Sequence, residues 1–309
     1  MPKIVILGVF VADTAYRADR QPRIGETLLG RSFALGPGGK GSNQAVAAGK
    51  AGGAAGTEVL FLSRLGRDDF AGMARATWAR AGVIPVITED PESYTGAAYI
   101  FVEEATGNNA IIIAPGAAAR ISPADMDAEA ALIGGASVAI TQLEQPMDAA
   151  LRFLQIARAG GARTILNPAP AAPLTDDMLA LCDFLTPNET ETEALTGRPV
   201  GTLAEAEKAA DALMDRGVGA AIITLGERGA LYRDRSRSVH VPAYKAGKVV
   251  ETTGAGDAFN GGFAVALAEG KDPVEAVRFG CATASISVTR PGTASSMPTR
   301  TEIEALMMG

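Results

Sequence analysis

One repeating unit of the fold lies in residues 137–166, SVAITQLEQPMDAALRFLQIARAGGARTIL. Ser137 to Leu143 and Arg163 to Leu166 are short runs typical of strands, and Pro146 to Ala159 between them has the apolar period of a helix. A strand, a helix and a second strand in succession indicate two parallel strands of one sheet, with the helix packed on its face.

The same alternation continues along most of the chain. Further strands are predicted at Ile4 to Val9, Glu58 to Ser63, Phe184 to Thr186 and Ala221 to Leu225, and further helices at Ser42 to Gly49, Asp69 to Ala81 and Leu203 to Arg216. We therefore expect an α/β fold in which a doubly wound, mostly parallel sheet carries helices on both faces.

Two segments break this alternation. Thr14 to Leu35 has no helical period, and Gly96 to Val102 followed by Asn109 to Ile113 has the pattern of a β-hairpin. Both could be surface loops, but the hairpin favours a small second sheet that forms a lid over a site. The sequence thus predicts a lid from roughly 14–35 and 96–113 on a single domain, 1–309.

Composition restricts the chemistry that the chain can carry. At 309 residues, with 47% hydrophobic and 20% charged residues, it is long enough for one large domain. A net charge of −7 without a basic stripe argues against nucleic acid as a partner. His240 is the only histidine, so Ser-His-Asp, Cys-His and multi-histidine metal sites are excluded unless they use that residue.

Neither the cysteines nor the first strand indicates export or a membrane. Cys182 and Cys281 lie far apart without Cys-x-x-Cys spacing, which is typical of packed thiols in a reducing cytosol. The apolar run from Ile4 to Ala12 is interrupted by a glycine and closed by Asp13, so we interpret it as a strand and not a signal peptide. We expect a cytoplasmic protein that binds small molecules.

Polar residues and a glycine follow several predicted strands. Ligands of parallel sheets bind beyond the carboxyl ends of the strands. The positions in question are Asp13, Glu144, Asn167, Asn188, Glu191 and Gly226. One polar residue after a strand is usually a turn or a cap, but several on one edge indicate a cleft.

The stretch Thr252-Thr253-Gly254-Ala255-Gly256-Asp257 places a glycine-rich turn and a carboxylate before the apolar segment Ala258 to Leu267. Backbone N–H groups of such a turn at a helix N-terminus point at one spot, where the helix dipole adds roughly half a positive charge. Asp257 should be ionised at neutral pH, because its reference pKa is about 3.9, and could take a proton from a hydroxyl. The stretch predicts phosphoryl transfer to an alcohol; a plain helix cap by Asp257 is the alternative.

A second glycine-rich segment, Gly36 to Gln44, fits neither of two familiar nucleotide motifs. A Walker A loop would need glycine at Ala34 and a Ser or Thr after Lys40. The segment has the glycine spacing of a dinucleotide fingerprint, but only a weak strand precedes it. Glu58 lies at the start of the next strand, whereas the ribose-binding acid of that fingerprint lies at the end of the strand. What remains is a cation, Lys40, and an amide, Asn43, suited to hydroxyl and phosphate oxygens.

Both glycine-rich segments resemble the ribokinase-like family of carbohydrate kinases, and the resemblance covers nearly the whole chain. It rests on Gly38 to Gly49, Gln142-Leu143-Glu144, Asn167 to Ala171, Thr186 to Glu191, Thr224-Leu225-Gly226, and Thr252 to Asp257 with Asn260-Gly261. The two glycine motifs in this order and spacing are highly specific for that family.

The resemblance implies transfer of the γ-phosphoryl group of ATP to the primary 5-hydroxyl of D-ribose. Asp257 would be the base, and the amides of Gly254, Ala255 and Gly256 would stabilise the transferring group. The sugar would lie against Val11, Asp13, Gly39, Lys40, Asn43, Glu144 and Asp257.

It also implies nucleotide and cation sites. The nucleotide would contact Asn188, Thr224, Gly226, Gly229, Gly256 and Cys281. Glu191, in an Asn-x-x-Glu motif with Asn188, would organise Mg²⁺ through water. A monovalent cation, in this family usually K⁺, would be bound mostly by backbone carbonyls at Glu251, Thr253, Ser287, Arg290, Gly292 and Ser296. Homodimers would form through the lid sheets.

Three residues depart from the family's pattern. Glu251 stands where the family usually has Asp, and Cys281 stands near adenine where polar residues are frequent. Val11 stands where an Asn usually contacts the sugar, and losing that partner costs a hydroxyl on the order of 1 to 3 kcal/mol. A kinase for 2-deoxyribose, or for another small sugar or nucleoside, is therefore the main alternative. A non-catalytic sugar or nucleotide sensor is a distant one.

Overall fold

The computed structural model describes residues 1–53 and 55–309. Its strands are β1 (Lys3–Leu7), β2 (Val11–Ala18), β3 (Ser32–Gly38), β4 (Glu58–Leu65), β5 (Val83–Glu89), β6 (Thr95–Glu103), β7 (Asn109–Gly116), β8 (Val138–Thr141), β9 (Arg163–Leu166), β10 (Phe184–Leu185), β11 (Ala220–Thr224), β12 (Ala230–Arg233) and β13 (Ser238–Val241). Its helices are α1 (Lys40–Gly52), α2 (Asp69–Arg80), α3 (Pro123–Ala128), α4 (Ala130–Gly134), α5 (Met147–Ala159), α6 (Asp176–Leu179), α7 (Glu189–Thr196), α8 (Leu203–Asp215), α9 (Ala255–Ala268), α10 (Pro273–Ser287) and α11 (Arg300–Met308).

The main sheet has the strand order β13-β12-β11-β10-β9-β8-β1-β4-β5 within the described residues. Neighbouring strands from β11 to β5 are parallel, and β12 and β13 form an antiparallel edge. The predicted, mostly parallel sheet is therefore confirmed. The alternation pattern missed β5, β12 and β13. β5 contains Pro85, which weakens a strand pattern but is tolerated because β5 is an edge strand.

Both faces of this sheet are covered by helices. In β1, Ile4 and Ile6 pack into one hydrophobic core together with residues of α1, α9 and α10, whereas Val5 and Leu7 pack into the other with residues of α5 and α8. Successive residues of a strand point to opposite faces, so a strand that is apolar at every position requires this double cover. The doubly wound prediction is confirmed.

The predicted lid is a separate sheet with the order β3-β2-β6-β7. β2 pairs antiparallel with β3 and parallel with β6, and β6 and β7 form the expected hairpin. The strands extend beyond the predicted bounds, because β2 already begins at Val11, β3 continues to Gly38 and β7 to Gly116. Residues 19–31, which the sequence assigned to the lid, contain no strand.

This arrangement corrects the expected position of one candidate residue. Asp13 is expected in a loop that follows the first strand of the main sheet, but it lies within β2 of the lid sheet, paired with Gly36 of β3. The segment before Lys40 is the lid strand β3, which overlaps the end of the predicted lid segment, 14–35. The lid therefore contributes directly to the site.

None of the helices in the described part of the chain combines the length and apolarity needed to cross a lipid bilayer.

Candidate active site

The glycine-rich turn forms the N-terminus of α9. Gly254, with φ of 81°, is the N-cap residue, and no side chain caps the helix, so the alternative in which Asp257 is a plain cap is wrong. The Ala255 N–H donates to Thr252 O (3.2 Å), whereas the N–H groups of Gly254 and Gly256 have no acceptor among the described residues. Two of the three expected amides are therefore free to bind an anion.

The carboxylate of Asp257 is held by two consecutive residues of α1. Asn43 Nδ2 donates to Oδ2 (3.0 Å), and Gln44 Nε2 donates to Oδ1 (3.1 Å). Burial raises the pKa of Asp257, while Lys40 and these two amides act in the opposite direction. The sequence alone predicts an ordinary pKa for Asp257, because it does not show that the carboxylate is buried.

Two further carboxylates, both predicted from the sequence to bind the sugar, have raised pKa values. Glu144 Oε2 accepts the Lys40 N–H (2.7 Å) at the start of α1, and burial raises the pKa of Glu144 to about 7. Burial also raises the pKa of Asp13 to about 6. Both groups bind protons more readily than ordinary carboxylates, because their charged forms lose solvation.

The two glycines before α1, Gly38 and Gly39, let the backbone there lie close to Asp13 and Val9. A Cβ at Gly38 would lie 2.2 Å from Asp13 Oδ2, and one at Gly39, where φ is 88°, would lie 2.5 Å from Val9 O. Val11 is 5% exposed and precedes Asp13 by two residues in β2, so both side chains leave the same face of the lid sheet.

Two connected cavities occupy this edge of the sheet. The smaller, about 140 Å³, is lined by residues that include Lys40, Glu191 and Asp257. The larger, about 490 Å³, includes Gly226, Gly229 and Cys281. Asn188, Thr224 and Gly256 line both, so the expected base and the expected nucleotide residues share one cleft.

The Asn188-x-x-Glu191 motif is a capping box at the start of α7. Asn188 N–H donates to Glu191 Oε2 (2.9 Å), and Glu191 N–H donates to Asn188 Oδ1 (2.8 Å). Burial raises the pKa of Glu191. Because the cap uses only Oε2 among the described contacts, Oε1 is available for the cavity that Glu191 lines.

The segments expected to bind K⁺ lie side by side. Glu251 N–H donates to Val288 O, and Glu251 Oε2 accepts the Gly292 N–H (2.8 Å). The Ser287 and Ser296 hydroxyls donate to carbonyls one turn earlier, and the Arg290 guanidinium donates to Glu302. The side chains of Glu251, Ser287, Arg290 and Ser296 thus have hydrogen-bond partners, which leaves mainly backbone carbonyls as the groups that could coordinate a cation here. No cluster of three or more His, Cys, Asp or Glu suited to a metal occurs in the part of the chain that the structure describes.

The model of the pfkB family of carbohydrate kinases matches residues 1–300. The chain belongs to this family. This carbohydrate kinase is 38% identical over 300 residues to a ribokinase of Haemophilus influenzae, covering 97% of the chain and 96% of the relative. It is also 38% identical over 297 residues to a deoxyribokinase of Salmonella typhi, with 96% and 95% covered.

A solved structure of Arabidopsis thaliana ribokinase complexed with ribose and ATP has the same fold. Its TM-score to this carbohydrate kinase is 0.94 at 30% identity, with 100% of the chain and 99% of the plant protein covered. The family and the fold inferred from the glycine motifs are confirmed.

Sequence reasoning placed Asn167 at this edge of the sheet, but it missed the hydrogen-bonded chain of polar residues behind the carboxylate of this kinase. Gln44 connects Asp257 to Asn167, Asn167 Nδ2 donates to Thr186 O, and Thr186 Oγ1 donates to Asn260 Oδ1. Asn260 Nδ2 in turn donates to Gly256 O (2.8 Å). Polar side chains inside apolar patterns were the available signal, but spacing along the chain does not show that they meet.

Proposed function

We propose that this chain transfers the γ-phosphoryl group of ATP to the primary 5-hydroxyl of D-ribose. The observation that carries the proposal is a buried carboxylate, Asp257, that lines the smaller of the two connected cavities and lies in the first turn of a helix whose N-terminus has no side-chain cap. The similarity to ribokinases over nearly the whole chain supports ribose and ATP as the substrates.

The sugar would be held on the lid side of Asp257. Asp13 and Glu144 offer carboxylate oxygens to its hydroxyls, and Lys40 lines the adjoining cavity. Asn43 Oδ1 is buried without a hydrogen-bond donor among the described residues, and a sugar hydroxyl would satisfy it. This donor and acceptor set orients the primary hydroxyl towards Asp257.

The reaction would follow from this orientation. The 5-hydroxyl gives its proton to Asp257 while its oxygen forms a bond to the γ-phosphorus, and the bond from that phosphorus to the β,γ-bridging oxygen breaks to release ADP. The free N–H groups of Gly254 and Gly256 donate to the oxygens of the transferring group, where negative charge accumulates.

The donor sets fit the two cations that the resemblance implies. Mg²⁺ usually keeps several waters and uses one or two carboxylates plus substrate phosphates, and Glu191 offers Oε1 beside the cleft. Bound Mg²⁺ would neutralise charge on the phosphates. K⁺ would be coordinated by backbone carbonyls of the segments around Thr253, Ser287 and Gly292, close to the anion turn.

A single assay tests the activity. ADP release should require a pentose and Mg²⁺ and should increase with K⁺, with ribose the best substrate of a pentose panel. Asp257→Asn should lower kcat at least 100-fold, because general-base catalysis contributes about 10²- to 10⁴-fold, while ATP still binds. Near wild-type turnover by this variant would remove Asp257 as the base. Nucleotide or sugar binding without any turnover would favour the sensor.

A kinase for 2-deoxyribose is the second candidate, and Val11 favours it. An apolar side chain cannot pair with the 2-hydroxyl of ribose, and a deoxyribokinase is among the relatives at 38% identity. The ratio of kcat/KM for ribose and 2-deoxyribose distinguishes the two candidates. Val11→Asn should shift that ratio towards ribose by about tenfold to a hundredfold, and an unchanged ratio would remove the argument.

The remaining expectations concern assembly and compartment. We propose a homodimer formed through the lid sheets, supported by the exposed apolar side chains of Phe33 and Leu35 on β3 and Ile112 on β7, which share one face of the sheet. We also propose a cytoplasmic location, which the two buried free thiols, Cys182 and Cys281, support.

A further inference from the structure

A chain of buried amides lies behind Asp257. Gln142 Nε2 donates to Gln44 Oε1 (2.6 Å), and Gln44 Nε2 donates to Asp257 Oδ1 (3.1 Å) and to Asn167 Oδ1 (3.2 Å). Gln44 and Gln142 are fully buried, and neither is among the described residues that line the two cavities. Any effect they have on the reaction must therefore pass through the cavity-lining residues that Gln44 contacts, Asp257 and Asn167.

The direction of each amide is fixed by a group that can only accept. Thr186 O accepts from Asn167 Nδ2 (2.9 Å), so Asn167 turns its oxygen towards Gln44. Gln44 then faces two acceptors, the Asn167 oxygen and the Asp257 carboxylate, and must present its NH₂ group to both. Its own oxygen consequently points at Gln142, which supplies the matching donor.

Stability alone does not account for this arrangement. Gln142 Oε1 is buried without a donor in the described part of the chain, which is unfavourable for folding. A Cβ at Gly8 or Gly41 would lie 2.6 or 2.8 Å from that oxygen, so both neighbours must be glycine for Gln142 to fit. An apolar side chain of the same size would avoid the orphaned oxygen, but it could not direct Gln44.

We propose that Gln44 and Gln142 are positioning residues for the Asp257 carboxylate. Gln142 fixes the direction of the Gln44 amide, and Gln44 holds Oδ1 while Asn43 holds Oδ2, so the carboxylate has one orientation towards the hydroxyl. This rests on the proposed function, in which Asp257 is the base. The Gln44 N–H also favours the charged form of that base, opposing the effect of burial.

Three near-isosteric variants test the chain: Gln44→Met, Gln142→Met and the double variant. Gln44→Met should lower kcat about tenfold to a hundredfold with KM for sugar and ATP unchanged, since the base loses a charge-assisted hydrogen bond. The acidic limb of the kcat–pH profile should move to higher pH, because removing the donor raises the pKa of the base. The charged groups that face Asp257, namely Lys40, Glu144 and Glu191, are the same in all variants.

The double variant tests the order of action. If Gln142 acts only through Gln44, Gln142→Met lowers kcat in the wild type but has no further effect in the Gln44→Met background. Fully multiplicative effects, or an unmoved acidic limb in Gln44→Met, would overturn the proposal.

Thr164→Val is the matched control for a loss of stability. Thr164 is fully buried in β9 and donates to Leu181 O, but it lies at the strand end away from Asn167. The Thr164→Val variant should have a lower Tm, while its kcat and its pH profile stay unchanged. Wild-type kinetics in Gln44→Met, combined with an inactive Asp257→Asn, would reject only the positioning role. An active Asp257→Asn would instead reject the proposed base.

Discussion

Gly38 has no side chain and so leaves room for the Asp13 carboxylate, which is proposed to bind the sugar. Gly38 pairs with Val11 of β2, two residues before Asp13, and a Cβ at Gly38 would lie 2.2 Å from Asp13 Oδ2. Since no real Cβ contact is that short, any larger residue must displace the carboxylate. The glycine is therefore required by a side chain of the neighbouring strand and not by its own φ.

Gly38→Ala is expected to weaken sugar binding selectively. Displacing the Asp13 carboxylate removes a hydroxyl acceptor, so KM for the sugar should rise about tenfold or more, with KM for ATP unchanged. Gly36→Ala in the same strand is the control, because nothing lies within 4 Å of its Cβ, and its kinetics should match the wild type. Equal KM values in both variants would contradict the assigned contact.

The pH dependence of sugar binding should follow Asp13 and Glu144. Burial raises their pKa values to about 6 and about 7, and each accepts hydroxyl hydrogen bonds best when ionised. As pH falls through 7 and then 6, both carboxylates take up protons, so KM for the sugar should increase. Steady-state kinetics between pH 5 and 8.5 measure this, and in Glu144→Gln the step near pH 7 should be absent. A flat KM across that range would show that neither group titrates in contact with the sugar.

At the level of elements, α9 is a helix whose adjacent glycines face two different helices. A Cβ at Gly261 would lie 2.5 Å from Ala47 Cβ and 2.8 Å from Gln44 O of α1, and a Cβ at Gly262 would lie 2.3 Å from Thr283 Oγ1 of α10. The close approach of α1 and α9 brings Asn43 and Gln44 within hydrogen-bonding distance of Asp257. The orientation of the base thus depends on how these helices pack.

Gly261→Ala should therefore impair both stability and catalysis. Overpacking against Ala47 and the α1 backbone costs about 1–3 kcal/mol, and the displaced helix no longer holds Asp257, so kcat should fall. Gly72→Ala in α2 is the control: nothing lies near its Cβ, and replacing a helical glycine should stabilise the protein by about 0.5–1 kcal/mol at unchanged kcat. Urea unfolding and initial rates measure both effects. A stable, fully active Gly261→Ala protein would show that α1 and α9 can separate without moving the base.

For the whole molecule, the lid sheet presents an apolar face that the described contacts leave uncovered. On the face that points away from Asp13, Ile112 of β7 is 68% exposed, and Phe33 and Leu35 of β3 are 56% and 46% exposed. Exposed apolar groups in one sheet favour association with another surface. Because Asp13 lies in this same sheet, pairing of two lids would also stabilise the sugar side.

Ile112→Glu is expected to convert the proposed dimer to a monomer, because a buried unpaired carboxylate at the interface is strongly unfavourable. Sedimentation velocity measures the mass directly, and KM for the sugar should rise if the lid loses its support. Ile84→Glu on β5, an exposed isoleucine of the main sheet, should leave the mass unchanged. A wild-type monomer would contradict the proposed assembly.

The sequence by itself determined the class of fold and predicted an anion site at the carboxyl edge of the sheet. Apolar runs separated by helical periods, as in residues 137–166, require parallel strands covered on both faces, because strands that are apolar throughout cannot face water. The glycine turn before an apolar helix predicted an anion site with a carboxylate, and its motif identified the family. These properties are local, since they follow from residues only a few positions apart.

Only the tertiary structure decided which residues hold the Asp257 carboxylate, and only the tertiary structure shows that burial raises its pKa. Gln44 meets Asp257 across 213 positions of sequence, and Glu144 meets Lys40 across 104. Such contacts depend on strand order and helix packing, which periodicity does not specify. Asp13 is a further example. The sequence shows only that Asp13 follows the first predicted strand, whereas its place in the lid sheet depends on the pairing of β2 with both β3 and β6. Hydrogen-bond partners and desolvation arise from the folded environment, so no single stretch of the chain contains them.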